Sequence, residues 1–229
     1  MARFAPLVVD SHARLAPHPC ERRPWPADKV CAVRDERRGQ LRLDSAAWGI
    51  PPWGEWRWVC ITAPKIDIVT LFFFPEAPWQ LPVYAMEFVV FGDRPVVAVI
   101  DTPCLGDSAA CRHKAADLTH RARRATTLAD ATAPPPWYAE CRSGWDVFTR
   151  PTNPAHHDQL EVVHHTLWGD LVAWLPEAEG FDANAAAQHQ RRLRDYKDHH
   201  RDHSPGWKLL MRSFGQTWSQ TFLTDYLFA

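Results

Sequence analysis

The apolar positions of this chain change rhythm along its length. Between residues 56 and 101 they come as β-branched and aromatic runs, at 56–61, 66–74, 83–91 and 96–100, with proline or glycine-containing breaks between them. Such runs suit a pleated, half-buried surface, and short breaks favour antiparallel neighbours, so four strands in a meander are expected. Gly92-Asp93-Arg94-Pro95 is a hairpin signal between the last two, because glycine supplies the backbone freedom of a tight turn.

From 108 to 131 the period becomes helical, with Asp107-Ser108 as a cap and the prolines at 134–136 as a stop. A second helix is expected over 154–175, where Leu160, Val163, Leu167, Leu171 and Leu175 recur at spacings of three and four. Two more fit 184–196 and 216–227. Strands first and helices afterwards, with the apolar stripe of the second helix set to pack on the sheet, imply a three-layer α/β/α sandwich around a central antiparallel β-sheet. Residues 1–55 carry weak periodicity, apart from an alternating stretch at 40–43 expected as an edge strand, and the whole of 1–229 is expected to form one domain.

Composition narrows the class. Lys+Arg 26 against Asp+Glu 27 gives a formal charge of −1, so no whole-molecule field points to nucleic acid. No apolar run reaches the roughly 20 residues of a spanning helix and the first residues lack the apolar stretch of a secretory signal, so a soluble cytoplasmic protein is expected. The 6 cysteines are scattered without a CxxC pair, which suits reduced thiols. The 12 tryptophans supply wide apolar surfaces of the kind that flat aromatic ligands prefer, although each alone is ordinary core material.

No glycine-rich phosphate loop, GxSxG elbow or dinucleotide fingerprint is present. His189, His199, His200 and His203 crowd one stretch, but they lack the cysteines or HExxH order of a zinc site, and no metal is expected.

Two segments carry a resemblance. Pro64-Lys65-Ile66-Asp67 through Pro75 leads to Leu81-Pro82-Val83-Tyr84-Ala85-Met86-Glu87-Phe88-Val89 and Val97-Ala98-Val99-Ile100-Asp101; near the end stand Ser204-Pro205-Gly206-Trp207, Arg212-Ser213-Phe214-Gly215 and Tyr226-Leu227-Phe228. In order and separation the chain resembles the ferredoxin-dependent bilin reductases over residues 56–228. The resemblance implies electrons delivered singly from a reduced [2Fe–2S] ferredoxin to a linear tetrapyrrole, with no cofactor bound by the chain itself. Each electron must be matched by a proton from a nearby side chain, and buried carboxylic acids fit because desolvation raises their pKa.

The resemblance also implies site residues. Glu87 falls where relatives carry a mid-strand aspartate and is the first candidate proton donor. Asp202 is the nearest match to an aspartate of the family's C-terminal loop, and Asp67 matches another acidic position; both are candidates, while Asp101 is expected to be structural. Thr70 stands where relatives have histidine, asparagine or aspartate, and orients rather than protonates. Arg150 matches an arginine that holds a pigment propionate, a role suited to the planar guanidinium, and Met86 is a candidate pigment contact. Trp58 is aligned with a glutamate of the phycocyanobilin-forming type. Arg121, Arg123, Arg124, Arg142, Lys197 and Lys208 are candidates for a patch that steers an acidic ferredoxin.

The reaction expected is two-electron reduction of biliverdin IXα at the 15,16 methine bridge, with the bilin between the sheet and the C-terminal helices. Alternatives are four-electron reduction to a phytobilin such as phycoerythrobilin, a bilin carrier without turnover, and reduction of another linear tetrapyrrole. A monomer is expected, with biliverdin or dihydrobiliverdin and ferredoxin as partners, and a second bilin reductase or a haem oxygenase as a further one.

Overall fold

The computed structural model describes residues 4–36, 39–92, 94–128, 133–151 and 156–229. Its strands are β1 (Glu21–Arg22), β2 (Cys31–Glu36), β3 (Gly39–Ile50), β4 (Gly54–Ala63), β5 (Ile66–Pro75), β6 (Tyr84–Phe91), β7 (Arg94–Asp101) and β8 (Val147–Thr149). They form one antiparallel sheet in the order β1-β3-β4-β5-β6-β7-β8, with β2 also paired to β3. The four expected strands are β4 to β7. The stretch at 40–43 is not an edge: it opens the 12-residue β3, which has β2 on one side and β4 on the other. Serine, alanine and glycine in β3 hide a strand whose second half is mostly buried. In the expected hairpin Gly92 has φ +63°, the left-handed conformation that favours glycine, while Asp93 lies outside the described residues, as do 129–131 and 154–155 of the expected helices.

The helices are α1 (Ala5–Ala13), α2 (Ala27–Val30), α3 (Ala109–Arg124), α4 (Pro136–Ala139), α5 (His156–Trp174), α6 (Ala183–His203), α7 (Gly206–Phe214) and α8 (Gln216–Thr221), the last running into a π-helical turn at Phe222–Leu227. Ser108 caps α3 as expected, accepting from the Cys111 amide. Asp182 caps α6 in the same way through the Ala185 amide, and α6 runs on to His203, seven residues past the expected end, until Pro205 forces Ser204 out of helical geometry. No described helix is long and apolar enough to cross a membrane.

Alternation along the strands divides the interior into two layers. Val69, Leu71 and Phe73 of β5 with Tyr84, Met86 and Phe88 of β6 pack against α1, α3 and α5. The intervening Phe72, Phe74 and Ala85 pack against Leu193 and Tyr196 of α6, Leu210 of α7 and Phe222, Leu223 and Leu227 of the π turn. In the first layer His164 of α5 ties the elements together, with Ser11 Oγ 2.7 Å from one ring nitrogen and Tyr84 Oη 2.6 Å from the other. In the second, the buried Arg57 of β4 donates to the carbonyls of Tyr226 (2.7 Å) and Leu227 (2.9 Å), clamping the C-terminal turn onto the sheet.

Candidate functional site

Between the sheet and the C-terminal helices lies a cavity of about 580 Å³, within the range of small-molecule sites. Its floor is set by register. Val59, Thr70, Glu87, Val99 and Phe148 stand side by side across β4, β5, β6, β7 and β8, and all five line the cavity. Thr70 and Glu87 are 17 residues apart in sequence and directly opposite in the sheet. The Thr70 hydroxyl donates a long 3.3 Å hydrogen bond to Glu87 Oε2. Burial raises the Glu87 pKa and the Thr70 bond only partly opposes it, so this carboxyl keeps its proton to higher pH than an ordinary glutamate.

Of the candidates from sequence, Thr70, Glu87 and Arg150 gather around this cavity. Arg150 follows β8, is exposed at the cavity's edge and makes no ion pair with a described residue. Met86 contributes to the lining, but its side chain alternates with Glu87 and belongs to the core on the other face of the sheet. Asp67 is three residues from Thr70 and so shares the opposite face with Val69 and Leu71, away from the cavity. Asp202 is in the last turn of α6 rather than in a loop; its carboxylate accepts from Arg201 Nε at 2.8 Å and its side chain is 54% exposed. Val59 stands opposite Thr70 and faces the cavity, while Trp58 packs with the α1/α3/α5 layer on the other face of the sheet. The basic candidates do not converge. Arg121, Arg123 and Arg124 end α3 in one helical layer, with Arg121 paired to Asp170, Arg142 pairs with the buried Asp146, and Lys197 and Lys208 lie on α6 and α7 in the other layer.

Sequence reasoning missed the wall formed by Trp137, Tyr138 and His200. His200 is enclosed by aromatic rings, with centroids at 4.4 Å (Tyr196), 5.7 Å (Phe72), 5.7 Å (Trp137) and 6.0 Å (Phe228). Its Nε2 has only a weak contact, 3.6 Å to Cys141 Sγ, and burial pushes its pKa down to about 3. The signal was present: His189, Leu193, Tyr196 and His200 recur at spacings of four, three and four, and all four are buried. The histidine-rich stretch is thereby split, with His199 and His203 stacked on each other at 4.6 Å and His200 turned inward.

Behind Tyr138 sits a buried acid pair. The Tyr138 hydroxyl donates to Asp146 at 2.8 Å and lies 3.4 Å from Asp101, whose two oxygens also accept from the backbone amides of Thr102 (2.7 Å) and Ser143 (3.0 Å). Burial, followed by the charge of Asp146, raises the Asp101 pKa from 3.8 to about 6. An acid with a folded pKa above its unfolded one stabilises the fold below the unfolded value and loses that contribution as pH rises through the folded value. Asp101→Asn should therefore gain stability relative to the unsubstituted protein as pH rises from 3.8 to about 6. Urea unfolding at the two ends of that window measures the change, and a difference that stays constant would place the Asp101 pKa elsewhere.

The family described as ferredoxin-dependent bilin reductase matches residues 12–229. No curated protein matches in sequence. Among solved structures, phytochromobilin synthase from tomato, crystallised in complex with biliverdin, is similar with a TM-score of 0.84 and 17% identity, over 98% of this chain and 82% of that one. At that identity the likeness shows the fold.

Proposed function

Because the chain belongs to the ferredoxin-dependent bilin reductases, and is thus an oxidoreductase that reduces a bilin with electrons from ferredoxin, we propose that it reduces biliverdin IXα by two electrons at the 15,16 methine bridge. The pigment lies in the cavity between the sheet and the C-terminal helices. The observation that carries this is Glu87, a carboxyl with a raised pKa in the floor of a mostly apolar cavity, held by Thr70.

The cavity's lining is mostly apolar, so charge arriving on the pigment with each electron is weakly screened and draws a proton from the nearest acid. Glu87 is that acid, positioned by a threonine that cannot itself donate near neutral pH. Asp67 and Asp202 point elsewhere and take no part in the proposal. What favours the bridge over a vinyl group is the resemblance: Thr70 stands where relatives have histidine, asparagine or aspartate, and Trp58 is aligned with the glutamate of the phycocyanobilin-forming type, so the residues associated with vinyl reduction are missing.

Arg150 fits a pigment propionate, since a guanidinium meets a carboxylate with two parallel hydrogen bonds. Arg150→Ala should weaken biliverdin binding by about 1–3 kcal/mol, measured by fluorescence or absorbance titration; an unchanged dissociation constant would remove it from the site. The reaction is tested by anaerobic turnover with reduced ferredoxin and chromatography of the product beside authentic standards. 15,16-Dihydrobiliverdin is expected, and a vinyl-reduced or four-electron product would contradict the assignment.

A further inference from the structure

Adding hydrogen across one carbon–carbon double bond takes two electrons and two protons. Reduced ferredoxin supplies the electrons singly, so the pigment becomes a radical after the first and closes its shell with the second, each arrival calling for one proton. Glu87, whose pKa burial raises, supplies one proton, and the residues around it decide where the other is held.

Among the described residues lining the cavity, the side chains able to carry a proton or positive charge are Glu87, Tyr138, His200, Arg150 and Arg201. The arginines do not give up their protons at physiological pH. The Tyr138 hydroxyl is turned out of the cavity onto Asp146 at 2.8 Å, and burial and the two nearby acids push its pKa further up. That leaves His200, on the helical roof across from the sheet that carries Glu87, with no strong hydrogen bond to give up.

We propose that His200 is the second proton-carrying group of the reaction, serving the pigment from the roof as Glu87 serves it from the floor. This rests on the reductase function proposed above. In the empty cavity the imidazole is neutral, since aromatic walls disfavour its charged form. Negative charge on the reduced pigment beside it favours the imidazolium, which takes a proton entering from solvent. An imidazolium in apolar surroundings is a strong acid and passes the proton to carbon readily, returning to the neutral ring. Two electrons from two ferredoxins, one proton from Glu87 and one through His200 balance the reduction.

The test uses the full chain with His200→Gln, which keeps a polar amide, and His200→Phe, which keeps an aromatic ring but carries no proton. Both variants should bind biliverdin within a few-fold of the unsubstituted protein. Under anaerobic reduction both should accept the first electron, accumulate an organic radical visible by electron paramagnetic resonance, and complete the reduction about 100-fold more slowly. Completion at the unsubstituted rate with no radical build-up would overturn the proposal, and so would loss of binding in both variants, which assigns His200 to packing. If the unsubstituted protein itself reduces no bilin, the function falls and this proposal with it; normal turnover there beside an unimpaired His200→Gln overturns this proposal alone.

Discussion

Glu87→Gln should bind biliverdin as tightly as the unsubstituted protein and reduce it about 10²- to 10⁴-fold more slowly, the span typical of a lost general acid. Glutamine keeps the shape of the glutamate and can still meet the Thr70 hydroxyl, so the floor of the cavity is preserved. What it lacks is a transferable proton at the point where Thr70 and Glu87 face each other across β5 and β6. A fall in kcat with little change in pigment affinity marks an interaction made during the reaction rather than in binding. Single-turnover absorbance should show the first reduction followed by a stalled radical. Unimpaired turnover would take the acid role away from Glu87.

Arg57→Ala should cost about 1–3 kcal/mol of stability, the range for leaving buried hydrogen-bonding groups without their partner. Arg57 is 6% exposed and its guanidinium serves two sets of partners at once. Nε donates to Glu55 at 3.1 Å and Nη2 donates to the same carboxylate, while Nη1 reaches the carbonyls of Tyr226 and Leu227. Burial alone would raise the Glu55 pKa, but Arg57 and Arg23 together bring it below the ordinary value, so the carboxylate is charged and depends on both. Removing Arg57 leaves Arg23 as its partner at 2.7 Å and frees two carbonyls of the C-terminal turn. Because Leu227 and Phe228 line the cavity, the same substitution should also weaken bilin binding. Chemical denaturation measures the stability, and a loss under about 1 kcal/mol would show that the C-terminal turn is held by its apolar packing.

Much of this architecture was legible in the sequence because the central strands are long and unambiguous. Ile66 to Phe74 and the run ending at Phe91 are apolar and β-branched or aromatic, and they became β5 and β6. The first 55 residues were less readable for physical reasons. β3 is rich in serine, alanine and glycine, and β1 has two residues, so neither offers a periodic signal. The helix α7 was missed because it opens on Gly206 and is nine residues long.

At the site, residue types were legible and their facing was not fully drawn. Alternation in a strand places Asp67 and Thr70 on opposite faces and sets Met86 against Glu87, a consequence available from spacing alone. The pairing of Thr70 with Glu87 depends on the register between two strands separated by residues 76–83, which no local pattern fixes. Asp202 turned outward because α6 continues past it, and its neighbour Arg201 takes its charge. His200 was hidden by composition: a stretch crowded with histidines looked like a solvated or metal-binding surface, and only place on the helix separates the buried His189 and His200 from the half-buried His199 and the exposed His203.

The most direct measurement is an anaerobic spectral experiment in which purified protein is mixed with biliverdin IXα and then with catalytically regenerated reduced ferredoxin. A shift of the pigment spectrum on mixing, followed by a progressive blue shift to a shorter conjugated system only after ferredoxin is reduced, is the predicted result. A bound pigment whose spectrum stays unchanged under reduced ferredoxin, or no binding at all, would contradict it.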